Sequence, residues 1–472
     1  MRRLLPLLVY LSACGRPGSS EHVVARREDG GSARADATVG LAPLALGMPE
    51  LAGFGYRARG GHAAFKLARV AEAAGAWADV IARCREALAA DPDHLDAAYL
   101  LAVALAKTNG SAEQILAPLT KAVAADYAKW GTASLEQPAL QPFLVTTTGQ
   151  AWRRRVEDDR QAFTAALARS LLVMSQHDLY AYDAERARWY RLTRTGGAVV
   201  ATIFVRSQHT LAYVTRQRVK DTGKPRTKIG IGIVDLASGR ARKSIELPGA
   251  APSAQLTVGY NNRKTPGFIV RSGKATWRLL DTDKLALESV PATAHADYPA
   301  YLADATRLQV TGRSARFDRA AVARITADWD DNMLASAVKI AGSKKVVTVP
   351  SPGLIAGDSA AWSADRTQLV FVAQLSDTCA PNVATAAAFV ADAATGTVRE
   401  LERAIGGIAV EWYGERTLAI SGDRGVSIVS LDGKAPLVLT GADGLVTPRR
   451  KPTCSAEPTV EEPIADEDEG TP

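Results

Sequence analysis

The sequence predicts a multidomain α+β chain, an N-terminal α-helical solenoid followed by an all-β propeller of about six blades. Three observations carry that prediction. Apolar residues fall at helical spacing from Gly61 to about Arg169, and the pattern becomes strand and turn after Ser170. Strand-turn units then recur at roughly 40 to 50 residues as far as about Leu445. The unit is clearest at residues 361–373, AWSADRTQLVFVA. A tight turn at Ala364-Asp365-Arg366 leads into a strand with Leu369, Phe371 and Ala373 on one face and Val370 and Val372 on the other. Apolar residues on both faces suit a strand packed between two layers.

Arg2 and Arg3 precede an apolar run from Leu4 to Leu11 and then Ser12-Ala13-Cys14, the zones of an export signal. Leu11-Ser12-Ala13-Cys14 resembles the lipobox of bacterial lipoproteins. The resemblance implies diacylglycerol on the Cys14 thiol, cleavage before Cys14 and acylation of the new amine. Residues 1–14 are therefore expected to be a signal peptide, and the chain to sit in the cell envelope, anchored to a membrane through lipid. Gly15, where an Asp would favour inner-membrane retention in enterobacterial lipoproteins, points to the outer membrane. Residues 15–60, rich in Gly, Ala, Ser and Arg, read as a flexible tether whose apolar part at 41–51 suits docking on the helices behind it. No run of about 18 apolar residues predicts a transmembrane helix.

Residues 61–170 read as a helical domain. Leu67, Ala68, Gly75, Trp77, Cys84, Ala87, Leu88 and Asp91-Pro92 mark a helix pair. Ala68 and Ala87 allow close approach, Gly75 the turn, and Pro92 the stop. Their spacing resembles a tetratricopeptide unit, although Ala71 stands where Tyr is usual and Val80 where Ala is usual. A second unit fits Leu95 to Tyr127 through Leu101, Ala102, Leu105 and Ala122, with one residue inserted at Asn109-Gly110-Ser111 and Tyr127 in place of the closing Pro. Such arrays need about three units, so residues 133–143 and an amphipathic helix near 151–169 are expected to close it. The resemblance implies a concave surface that grips a peptide or helix of an envelope protein, or else a spacer.

Residues 171–450 read as the propeller. Residues 178–193, DLYAYDAERARWYRLT, resemble the outer half of a TolB-type blade, and this resemblance extends over roughly the last three fifths of the chain. A fuller unit at 197–247 has strands near 199–205, 210–215, 229–235 and 242–246. Its basic insertion 216–228 reads as an exposed loop. Further units fall at 256–290, 300–349 (the least regular), around Trp362, and at 407–440. The first unit lacks an inner half, so the segment after Gly444 is expected to return to it and close the ring. Trp362 reads as a core anchor.

With Cys14 lipidated and Cys84 on a helix as a small core residue, Cys379 and Cys454 are left to form a disulfide pinning the C-terminal segment. Net charge is +7, but residues 456–472 hold seven acids and no base, which leaves +14 on the rest. Residues 451–472 read as an acidic disordered tail. The basic body reads first as a solvated, Arg-rich surface, and otherwise as an attractor of anionic envelope polymers or lipid headgroups. Its densest runs, Arg153-Arg154-Arg155 and Arg449-Arg450-Lys451, lack the interleaved aromatics of a nucleic-acid platform, so no nucleic acid is expected.

No GxSxG, HExxH or Walker A motif occurs, and Gly230-Ile231-Gly232 lacks the third glycine of a dinucleotide fingerprint. Asp328, Asp330 and Asn332 have calcium-loop spacing, but Met333 and Lys339 replace the Gly and Glu such a loop needs. The histidines are scattered, and His94 reads as an exposed turn residue. The expectation is no metal, no cofactor and no catalysis: a protein-binding scaffold or assembly factor. The alternatives are a ligand- or polysaccharide-binding propeller and a hydrolase whose site assembles only in the fold.

Overall fold

The computed structural model describes residues 41–447 and 449, apart from 56–59, 206–208, 222–223, 242–243, 252–255, 262–266, 282–285, 292–297, 300–308, 312–313, 317–324, 331–333, 341–342, 344, 377–383 and 448. The lipidation site Cys14 and both members of the predicted disulfide, Cys379 and Cys454, lie outside the described residues. No helix among the described residues is long and apolar enough to cross a membrane.

Helices come first: α1 (His62–Ala73), α2 (Trp77–Ala90), α3 (Leu95–Lys107), α4 (Ala112–Ala125), α5 (Tyr127–Glu136), α6 (Gln141–Leu144) and α7 (Thr147–Arg169). Short polar side chains set the starts of α4, α5 and α7 by accepting orphan backbone N–H groups. Ser111 and Gln114 form a reciprocal capping box on α4, Asp126 caps α5 and Thr146 caps α7. Gly75 sits at φ +71° in the α1–α2 turn, a conformation open to glycine without steric cost. Ala68, Ala87 and Ala102 are fully buried, and Leu101 is 8% exposed. Pro92 lies on the surface just past the end of α2. Trp77 is half-buried, with Lys107 Nζ 5.8 Å from its ring centre. Leu67, expected to pack within the array, is instead 51% exposed, because it lies on the outer face of the first helix.

After α7 come β1 (Leu171–Ser175), β2 (Asp178–Asp183), β3 (Arg188–Arg191), β4 (Val199–Val205), β5 (Thr210–Asp221) and β6 (Lys224–Asp235). From there the described strands pair antiparallel in successive sheets, the plan of a β-propeller. The strand Gly444–Leu445 pairs with β1 through Val173–Leu445 and Met174–Gly444, so the end of the strand region completes the first sheet. The stretch around residue 361 folds as strands Leu354–Trp362 and Gln368–Gln374 around a turn held by Asp365, whose carboxylate accepts from Ser363 and Thr367. Leu369, Phe371 and Ala373 enter one buried cluster with Trp362, while Val370 and Val372 enter another.

Two expectations need correction. Residues 216–228 are not a loop: β5 and β6 pair without interruption from Thr210–Asp235 to Asp221–Lys224. The β-forming Val219, Thr227 and Ile229 keep the ladder growing past the core. Nor is the tether flexible to residue 60. Leu46, Met48, Leu51 and Phe54 are buried, and Met48 and Trp189 exchange backbone hydrogen bonds of 2.9 and 2.8 Å. The apolar side chains at 44, 46, 48, 51 and 54 supply enough buried surface to fix this segment between helices and sheet.

The helices and the first two sheets share one core, in which Leu119, Tyr127, Trp152 and Phe163 touch the same cluster as Leu179, Leu192, Leu211 and Val234. Gly239, at φ +67°, sits where a Cβ would come 2.2 Å from the Phe163 ring, so a glycine lets α7 press onto the second sheet.

Candidate binding groove

Alternate helices present one face each to a groove of about 1300 Å³. Phe65, Arg69 and Glu72 of α1 and Asp96, Tyr99, Leu100 and Val103 of α3 stand at three- and four-residue spacings, which aligns them on single faces. Lys129 and Trp130 of α5 continue the floor. The opposite wall is the start of the sheet region: Ser175 to Asp178, Tyr180, Arg191 and Thr195 to Gly197, with Phe54 at the rim.

An aromatic stack lies at the centre of the floor. Tyr99 and Trp130 have ring centres 3.9 Å apart at 15°, and Lys129 Nζ sits 4.2 Å over the indole. The Tyr99 hydroxyl donates to Ala133 O at 3.2 Å, and burial raises its pKa. Lys129 pairs with Asp96, and Arg69 with Glu72.

His94 is 3% exposed, against the expectation of an exposed turn. Its Nδ1 accepts from Ala97 N at 3.2 Å, capping α3, and its ring lies 4.5 Å from that of Phe65. Burial holds the imidazole below its ordinary pKa, with Asp96 and Asp91 opposing. A protonated Nδ1 could not accept the Ala97 N–H, so cap and charge exclude each other.

The sheet wall is locked by hydrogen bonds. Asp178 Oδ1 accepts from Thr193 Oγ1, Thr195 N and Thr195 Oγ1, each at 2.8 Å. Arg191 reaches Asp178 at 3.4 Å and the carbonyl of Thr193 at 2.9 Å. Gln176 and His177, at φ +47° and +58°, form the two-residue tip between β1 and β2. That tip is held by Val199 O, 3.0 Å from His177 Nδ1, and by Asp443, which accepts from Gln176 N at 2.5 Å.

Two bidentate pairs fasten the helices to the sheet. Arg194 grips Asp126, the residue that caps α5, and Arg169 of α7 grips the fully buried Asp183 of β2. Charge-assisted hydrogen bonds therefore hold helices and sheet together at the junction beside the groove.

None of the residues the sequence marks as helical packing (Leu67, Ala68, Gly75, Trp77, Ala87, Pro92, Leu101, Ala102) lines the groove. They mark where helices meet, and the groove is the neighbouring face of the same helices. Sequence reasoning singled out neither Tyr99 nor Trp130, although an aromatic on each of two alternate helices was a signal that could have found them, whereas Asp178, Arg191 and Arg194 carry no local signal that they face a helix. Cys84 is buried, and burial followed by the charge of Glu72 pushes its thiol up to about 12. Asp330 accepts from Leu334 N at 2.8 Å and Trp329 beside it is 4% exposed, while Asn332 and Met333 of the calcium-like spacing lie outside the described residues. Among the described residues, no three His, Cys, Asp or Glu side chains converge as metal ligands.

No known family model matches the chain, and no curated protein sequence matches it. Among solved structures, TolB from Acinetobacter baumannii is similar at 15% identity, with 61% of this chain on 68% of that one and a TM-score of 0.28. The GH74 enzyme of Niastella koreensis is similar at 11% identity, 57% on 43%, with a TM-score of 0.28. A puromycin-hydrolyzing peptidase of Mycobacterium tuberculosis follows at 12% identity, 51% on 38%, with a TM-score of 0.22. The architecture rests on the strand pairing above rather than on these likenesses.

Proposed function

We propose that this chain is a non-catalytic binding protein of the cell envelope, lipid-anchored at Cys14, whose groove takes a segment of another envelope protein. The observation that carries the reading is the groove itself, whose two walls come from different parts of the chain and are fastened by Arg194–Asp126 and Arg169–Asp183. A preformed cleft with a stacked aromatic pair spares a ligand the cost of ordering its receptor. Its carboxylates Glu72, Asp96 and Asp178 are each committed to a partner, which suits recognition better than proton transfer. Aromatic and arginine side chains in such clefts dominate binding energy.

Crosslinking in the native envelope, followed by mass spectrometry, tests it. A stoichiometric partner should be recovered whose yield falls about tenfold with Trp130→Ala, as expected for loss of a binding hot spot. A partner recovered equally well by Trp130→Ala and Arg69→Glu would remove the groove from the function. Retention on peptidoglycan, lost in high salt, without any protein partner would favour a polysaccharide ligand instead.

A further inference from the structure

The outer half of the β5–β6 hairpin, residues 216–221 and 224–229, is a two-stranded ribbon with an unusual load of charge. It holds Arg216, Arg218, Lys220, Lys224, Arg226 and Lys228 against one acid, Asp221. The register puts Arg216 and Arg218 on one face and Arg226 and Lys228 on the other, so both faces carry cationic positions. Arg216, Arg218 and Arg226 are exposed. Glu246 pairs with both Arg226 and Lys228 at 3.2 Å.

The ribbon's edges are also open. β4 pairs with β5 no further than Thr215, and the short strands beside β6 pair with it at Gly230, Ile231, Val234 and Asp235. Among the described residues, no third strand covers 217–221 or 224–228. An isolated two-stranded ribbon is only marginally stable, and like charges along it weaken it further. The excess of positive charge along it therefore opposes the pairing of its own two strands.

We propose that this ribbon is a docking surface for an extended acidic polypeptide, and that its occupant is the chain's own segment 456–472. Charge, spacing and reach select it. The segment holds Glu457, Glu461, Glu462, Asp466, Glu467, Asp468 and Glu469 and no base. In an extended chain Asp466 and Asp468 share one face and Glu467 and Glu469 the other, at the same spacing of roughly 7 Å that separates alternate ribbon residues. Addition of such a strand to an open edge uses backbone hydrogen bonds for affinity and side-chain charge for choice of partner. Near its end the described chain passes the second sheet, since Thr202 of β4 donates to Val446 O at 3.0 Å and Thr202 pairs with Tyr213 of β5, before Arg449 donates to Ser421 and to Asp443 O. From Tyr213 to Arg218 is about 17 Å along the strand, while the residues from 450 to 472 span up to roughly 75 Å when extended.

Zero-length carbodiimide crosslinking of the full chain, read by mass spectrometry at low and high salt, tests the proposal. Carboxylates of 456–472 should couple to Lys220, Lys224 and Lys228 in preference to other lysines. The yield should fall at least fivefold in 0.5 M salt and in the triple variant Arg216→Glu, Arg218→Glu, Arg226→Glu, with circular dichroism confirming its fold. The same charge change at Arg153→Glu, Arg154→Glu should leave the pattern intact. Crosslinks spread over surface lysines, no crosslinks from the segment, or ribbon crosslinks that survive the triple variant would overturn the docking. Equal mixing of isotope-labelled and unlabelled chains should give crosslinked peptides within one isotope. Mixed pairs would overturn the intramolecular occupant in favour of a second copy.

Discussion

Arginine appears in two settings in this molecule. At the junction of helices and sheets, Arg194 is a quarter exposed and grips an Asp126 that is 5% exposed. On the ribbon, Arg226 is 48% exposed and shares Glu246, itself 42% exposed, with Lys228. The residue type is the same, but water makes the difference. A buried carboxylate has no solvent to fall back on, so its arginine is structural, whereas an exposed pair exchanges one solvated state for another. The junction therefore uses arginine to hold two modules in one geometry, and the ribbon presents it to water.

The largest effect expected from this contrast is at Arg194. Arg194→Ala strands Asp126 and should cost about 2–4 kcal/mol in urea unfolding, the lower part of the range for a broken buried pair because Arg194 is partly exposed. A loss below about 1 kcal/mol would place Arg194 in the same class as the ribbon residues.

A pH titration probes the floor of the groove. Burial lowers the folded pKa of His94 below its ordinary 6.5, so folding favours the neutral ring. Its contribution is complete above pH 6.5 and is lost as pH falls through the depressed folded value, below which both states are protonated. His94→Asn keeps an N-cap oxygen and removes the titration, so its stability should vary less between pH 7 and 5. A slope identical to that of the natural chain would show that His94 does not cause it.

The smallest effect is expected on the ribbon. Arg226→Ala should change stability by no more than about 0.5 kcal/mol, the usual limit for exposed sites. A loss of 2 kcal/mol would make the ribbon a structural element and erase the contrast with the junction.

The strand at 368–374 was legible because its period is local: alternate residues face opposite layers, and both faces proved buried. The return of the chain end to the first sheet was legible because an unpaired inner edge needs a partner, and Gly444–Leu445 provides it. The ribbon was misread as a loop because charge was taken for irregularity, although backbone pairing does not depend on side-chain polarity once a register is set. Leu67 was misread because a repeat pattern describes internal units, and among the described residues the first helix leaves Leu67 about half exposed.

By itself, the sequence determined where helix gives way to strand, which residues face inward within each unit, and how unevenly charge is distributed. Those properties follow from periodicity and composition, which are local. Only the tertiary structure decided that Asp126 meets Arg194, that Tyr99 stacks on Trp130, and that a segment read as a tether is clamped at Met48. Those contacts join residues far apart in the chain, and their energy comes from excluding water between surfaces whose meeting no local pattern records.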